Sequence, residues 1–86
     1  MSRDEIFVEV VDLACAVEPR VVRQAVRLDD TPFTAYGITS MSMLQLTARV
    51  EDRFAVRISD GEALRAGTPL RLVGLIAQKL RTVARS

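Results

Sequence analysis

The chain has 86 residues, 49% of them hydrophobic, with twelve Lys and Arg against eleven Asp and Glu, for a formal charge of +1. That length allows one domain, residues 1–86, whose core is thin because so short a chain buries only about 60% of its unfolded surface. The balanced charge gives no long-range field and no basic surface for nucleic acid. There is no histidine, which removes Ser-His-Asp and Cys-His pairs and histidine metal ligands, so a small enzyme is disfavoured.

Cys15 is the only cysteine, so no internal disulfide forms, and its apolar neighbours Leu13 to Val17 mark a buried structural thiol. The charged start, Met-Ser-Arg-Asp-Glu-Ile, is no secretory signal. No apolar run is long enough to cross a membrane. A reducing, cytoplasmic setting is expected.

In chain order, residues 4–17 have helical spacing, with Ile6, Val10, Leu13, Ala14 and Val17 on one stripe and Phe7 and Val11 flanking it. Asp4 and Glu5 suit the positive end, and Pro19 stops the helix. Arg20–Leu28 could hold a short helix, with Val21, Ala25 and Leu28 on one face and Arg20, Arg23 and Arg27 on a solvated one. Asp29-Asp30-Thr31-Pro32 is expected to turn rather than hold a metal. Phe33 and Tyr36 are expected to tuck this long loop onto the core.

A second helix is expected over 40–54, with Met43, Leu46, Val50 and Phe54 inward and Met41, Leu44, Ala48 and Glu51 on another side. Ser40, at its start, has the place of a helix cap. Ala55–Gly61 is read as an extended connector. Ser59 or Asp60 can cap a short helix over about 60–66, with Gly67 able to close it in the left-handed conformation. Thr68-Pro69 opens a last helix, 69–82, with Leu72, Val73, Leu75, Ile76 and Leu80 apolar and Lys79, Arg81 and Arg85 at its negative end. Gly74 costs that helix about 1 kcal/mol, for which close helix packing is the usual reason.

No base adjoins Ser40 in sequence, so any chemistry there must be catalysed by another protein. Gly37-Ile38-Thr39-Ser40-Met41 resembles the Gly-x-Asp-Ser-Leu signature of the acyl and peptidyl carrier proteins, which bind phosphopantetheine. The resemblance continues through Leu44–Phe54, through Val56–Asp60, which is similar to the family's Phe-Gly-x-x-Ile-Pro-Asp stretch, and at Thr68-Pro69. It covers nearly all of residues 4–82. It implies an all-α, four-helix bundle with a long first loop and a short third helix.

The resemblance further implies that Ser40 is esterified to 4′-phosphopantetheine from coenzyme A by a phosphopantetheinyl transferase, with Thr39 and Met41 beside it. The arm's thiol carries acyl or aminoacyl groups as thioesters, and the phosphate suits a helix N-terminus. The second helix is the family's docking face for partner enzymes. Here that face implies Met41, Leu44, Gln45, Ala48, Glu51 and Asp52, meeting an acyl- or aminoacyl-loading enzyme, an acyltransferase or a ketosynthase. Thr39, Ala55 and Ser59 depart from the family's usual aspartate, glycine and proline, and Arg49 and Arg53 interrupt the acidic face. Set against the resemblance, these departures favour a carrier of polyketide, nonribosomal peptide, antibiotic or other specialised biosynthesis over the housekeeping fatty-acid carrier, which is strongly acidic. A stand-alone, monomeric acyl carrier without catalytic activity is the expectation. An aminoacyl or peptidyl carrier and an unmodified helical interaction module are the alternatives.

Overall fold

Helix α1, Arg3–Val17, begins one residue before its apolar periodicity because Ser2 and Glu5 form a capping box. The Ser2 hydroxyl accepts from the Glu5 amide at 3.1 Å, and the Glu5 carboxylate accepts from the Ser2 amide at 2.8 Å. The computed structural model describes residues 1–85, with side chains through Thr82. Ile6, Val10, Val11 and Ala14 are buried. Val11 is therefore core rather than flank, while Leu13 and Val17 lie at the margin. Glu18 leaves the helix in extended geometry, φ −131° and ψ 95°, as the residue before a proline must.

The first loop contains less helix than its spacing suggested. Within Arg20–Leu28 a single 3-10 turn forms, Arg23–Ala25, and Ala25 is exposed. The buried positions are Val21 and Val26, and the backbone is extended at Val22 and Val26 on either side of the turn, so no longer helix propagates. Arg20, Arg23 and Arg27 are exposed, and Arg23 pairs with Asp12 of α1. The Asp29 carboxylate accepts from the Thr31 amide at 2.9 Å, closing the expected turn. A second short turn, Phe33–Tyr36, buries Phe33. Half-buried Tyr36 accepts the Arg27 amide on its hydroxyl at 3.2 Å.

Helix α2, Ser40–Phe54, turns Leu46, Val50 and Phe54 into the core, with Met43 at its margin. It ends on Ala55 at φ 55° and ψ 45°, which lets the Val56 amide reach the Glu51 carbonyl at 3.2 Å. The connector places Val56 and Ile58 in the core. Helix α3, Asp60–Arg65, is started by a capping box between Ser59 and Glu62. Gly67 does not take the left-handed conformation. Its carbonyl instead accepts the Phe33 amide at 3.0 Å.

Helix α4, Pro69–Arg85, is capped by Thr68, whose hydroxyl accepts the Arg71 amide at 3.2 Å. It buries Leu72, Val73, Ile76 and Ala77, with Leu75 and Leu80 partly covered. The Arg85 side chain lies outside the described residues. Close helix packing does not explain Gly74, since a methyl group there would meet only an Arg3 guanidinium nitrogen at 3.9 Å.

Helix α1 packs against both α2 and α4. Arg53 of α2 grips Glu9 of α1 through two bonds, at 3.1 and 2.7 Å. Among the described residues the chain is a bundle of four α-helices, the third short, with a long first loop and no strand.

Ala55 bears a side chain in the left-handed region, which costs roughly 1 kcal/mol relative to glycine. Ala55→Gly is expected to raise the denaturation midpoint, equivalent to about 0.5–1 kcal/mol of added stability. Three carboxylates are held below their ordinary values of 4.5, 3.8 and 4.5: Glu5 by the Ser2 amide, Asp29 by the Thr31 amide, and Glu62 by the Ser59 amide and then Lys79. Between each lowered value and the ordinary one, the unfolded chain binds more protons than the folded chain. Stability therefore rises with pH through that window and is complete above it. Melting temperature is expected to fall below about pH 5. The slope should flatten in a triple Glu5→Gln, Asp29→Asn, Glu62→Gln variant, and an unchanged slope would assign the acid loss to other carboxylates.

Candidate functional site

The approach to Ser40 is fixed from both sides. Gly37 takes φ 88°, a backbone state that L side chains rarely adopt. Ile38 is buried directly after it. Its amide donates to the Phe33 carbonyl at 3.3 Å, so the chain reaches α2 from a fixed point.

Thr39, not Ser40, is the cap. Its hydroxyl oxygen accepts the Ser42 amide at 3.1 Å and donates to the Ser42 hydroxyl at 3.1 Å, and its carbonyl accepts the Met43 amide at 2.8 Å. The sequence held a signal for this. Ile38 and Met43 have the spacing of a hydrophobic residue before a cap and its partner four residues into the helix, which selects position 39. Thr39 thus does the work of an aspartate cap without its charge.

Ser40 becomes the first helical residue. It is exposed, and its hydroxyl makes no hydrogen bond among the described residues. The amides of Ser40 and Met41 likewise have no partner there. The first turn of α2 carries no acid, whereas those of α1 and α3 do. An unencumbered hydroxyl beside two free N–H groups, at the positive end of a 15-residue helix, fits a phosphodiester.

The outer side of α2 presents Met41, Leu44, Gln45, Ala48, Arg49 and Asp52 to solvent, with Met41 and Leu44 at 69% and 63% exposure. Glu51 does not share this freedom. It is half-buried, and its carboxylate accepts the Ile58 amide at 2.9 Å, bracing the connector. Leu64 on α3 is 85% exposed, an apolar surface residue that the sequence reading passed over. Ser59 forms two bonds that proline could not complete, since its amide donates to Glu62 at 2.9 Å. Cys15 is half-buried, its thiol directed at the Val21 carbonyl at 3.9 Å. Among the described residues no group could hold a metal ion, and no helix is long and apolar enough to cross a membrane.

The family model of the phosphopantetheine attachment site matches residues 9–76. The chain belongs to this family of phosphopantetheine carrier proteins. The carrier is similar in structure to hexanoyl acyl carrier protein from the actinorhodin polyketide synthase of Streptomyces coelicolor, with a TM-score of 0.73 and 27% identity, over 85% of this chain and 87% of that one. No curated protein sequence matches it. Proteins of this class are not enzymes. They bear covalent 4′-phosphopantetheine and work with a phosphopantetheinyl transferase and synthase enzymes.

Thr39→Ala removes the cap and leaves the Ser42 hydroxyl, which is 8% exposed, without its donor. A loss of about 1 kcal/mol is expected by chemical denaturation. Thr39→Asp should match or exceed the parent, because it caps and adds charge at the positive helix end. Equal stability of all three proteins would remove the capping role from Thr39.

Proposed function

We propose that this protein is an acyl carrier that holds acyl intermediates on a 4′-phosphopantetheine arm attached to Ser40, in polyketide or another specialised biosynthesis. The observation that carries the reading is the exposed, unbonded Ser40 hydroxyl beside the free amides of α2. The likeness to a polyketide synthase carrier supports the acyl and polyketide part.

When bound, the arm supplies a thiol that carries acyl groups as thioesters, activated for transfer. Ser40 Oγ attacks the phosphorus of coenzyme A next to pantetheine, its proton passes to a base of the transferase, and the nucleotide half leaves. The base comes from outside because no ionisable side chain hydrogen-bonds the Ser40 hydroxyl and the chain has no histidine. The free amides of Ser40 and Met41 would hold the phosphodiester, whose charge suits the helix end. Met41, Leu44, Gln45, Ala48 and Asp52 form the face offered to the transferase and to the loading or condensing enzyme. Apolar Met41 and Leu44, at 69% and 63% exposure, are its anchors, since burial of apolar surface is the main favourable contribution to most protein association.

Incubation with coenzyme A and a promiscuous phosphopantetheinyl transferase is expected to add one phosphopantetheinyl mass to the parent protein and none to Ser40→Ala, read by intact-protein mass spectrometry. An unmodified parent that is well folded, across several transferases, would remove Ser40 as the attachment point and leave a helical interaction module.

A further inference from the structure

A groove lies between α3 and α4. Two adjoining hollows of about 360 and 400 Å³ form it, both walled by Glu62 and Leu75. Arg65 and Arg71 border the first, and Arg57 and Lys79 the second. The Arg57 end follows the C-terminus of α2, so that 15-residue helix separates it from Ser40 by about 20 Å along its axis.

The charge on this groove is one-sided. Among the described residues four cations and one carboxylate border it, in a chain whose formal charge is only +1. The carboxylate is already committed, since Glu62 accepts the Ser59 amide at 2.9 Å and pairs with Lys79 at 3.0 Å. Arg71 meets Asp30 only at 3.5 Å, with both side chains well exposed. Arg57 and Arg65 are exposed and join no ion pair among the described residues. Guanidinium groups without an anion therefore flank a half-buried leucine.

We infer that the α3–α4 groove is a second docking surface, which takes an acidic segment of a partner protein with an apolar side chain over Leu75. Carboxylates match the fork of Arg57 and Arg65, and the recessed apolar wall gives the segment an anchor. Nucleic acid fits less well because no aromatic side chain lines the groove to stack a base. A bilayer fits less well because the apolar surface is recessed, whereas insertion needs a protruding one. Exposed charges of this kind select the partner and speed its approach more than they tighten binding. The groove stands independently of Ser40, and a partner held there leaves the start of α2 free.

The test is a titration of the full ¹⁵N-labelled chain with a short helical peptide of Glu with Leu on one face. Its Lys-for-Glu counterpart, oligothymidylate and vesicles containing phosphatidylglycerol serve as the other arms. The acidic peptide is expected to move the amide resonances of Arg57, Glu62, Arg65 and Leu75 and to leave Ser40 and Met41 in place. Affinity should drop about tenfold in Arg57→Glu/Arg65→Glu. It should drop less in Arg57→Gln/Arg65→Gln, which guards against misfolding of the reversal, and should be lost near 0.5 M salt, where screening is roughly complete beyond contact distance. Arg49→Glu changes an exposed arginine of α2 outside the groove and should bind as the parent does. The inference is overturned by an absence of shifts, by equal shifts with the Lys peptide, by equal loss in Arg49→Glu, or by the oligonucleotide or vesicles occupying the groove instead.

Discussion

The seam between the long first loop and the start of α4 sets the geometry of everything near Ser40. Three bonds make it: the Phe33 amide to the Gly67 carbonyl, the Leu70 amide to the Asp29 carbonyl, and the Thr68 hydroxyl to the Asp30 carboxylate at 2.9 Å. Phe33, Ile38 and Ala66 bury apolar surface beside it. A loop of this length loses much conformational entropy when fixed, so a buried aromatic and three cross-links are a proportionate restraint. From that seam the chain needs only Gly37 and Ile38 to deliver Thr39 and Ser40 to the start of α2.

The division of labour at that start has a physical logic. A capping residue must turn its side chain back onto the helix amides, which occupies its oxygen. A residue that must accept a phosphodiester needs its oxygen free. Placing the cap at Thr39 and the free hydroxyl at Ser40 satisfies both, and Ser42 completes the arrangement by accepting from Thr39 within the helix. Because Thr39 is neutral, the helix end keeps its full attraction for an anion.

Much of this was legible in the sequence where one rule decided the outcome. Helical periodicity marked α1, α2 and α4, and the resemblance of Gly37–Met41, Leu44–Phe54, Val56–Asp60 and Thr68-Pro69 to the carrier family's stretches identified the family. Legibility failed where two rules competed. Arg20–Leu28 has helical spacing, yet Val21 and Val26 are drawn into the core by a chain that is extended at Val22 and Val26, on either side of a single turn. Thr39 and Ser40 are both good caps, and only the apolar residues around them break the tie. Glu51 looked like a surface acid because its bond to Ile58 crosses from a helix to a connector, a contact that no local pattern encodes. Ala55 and Ser59 looked like departures from a pattern. One accepts backbone strain to end α2, and the other supplies the amide and hydroxyl that start α3.

Helix α3 has a further consequence for the molecule's motions. None of its six residues is fully buried. It is strung between the buried posts Ile58 and Ala66 and fastened by the Ser59–Glu62 box and Lys79. A segment with so little core of its own opens at lower free energy than its neighbours. The bundle of α1, α2 and α4 can therefore keep its shape while α3 unwinds and reforms, which makes α3 the soft joint of an otherwise stiff frame.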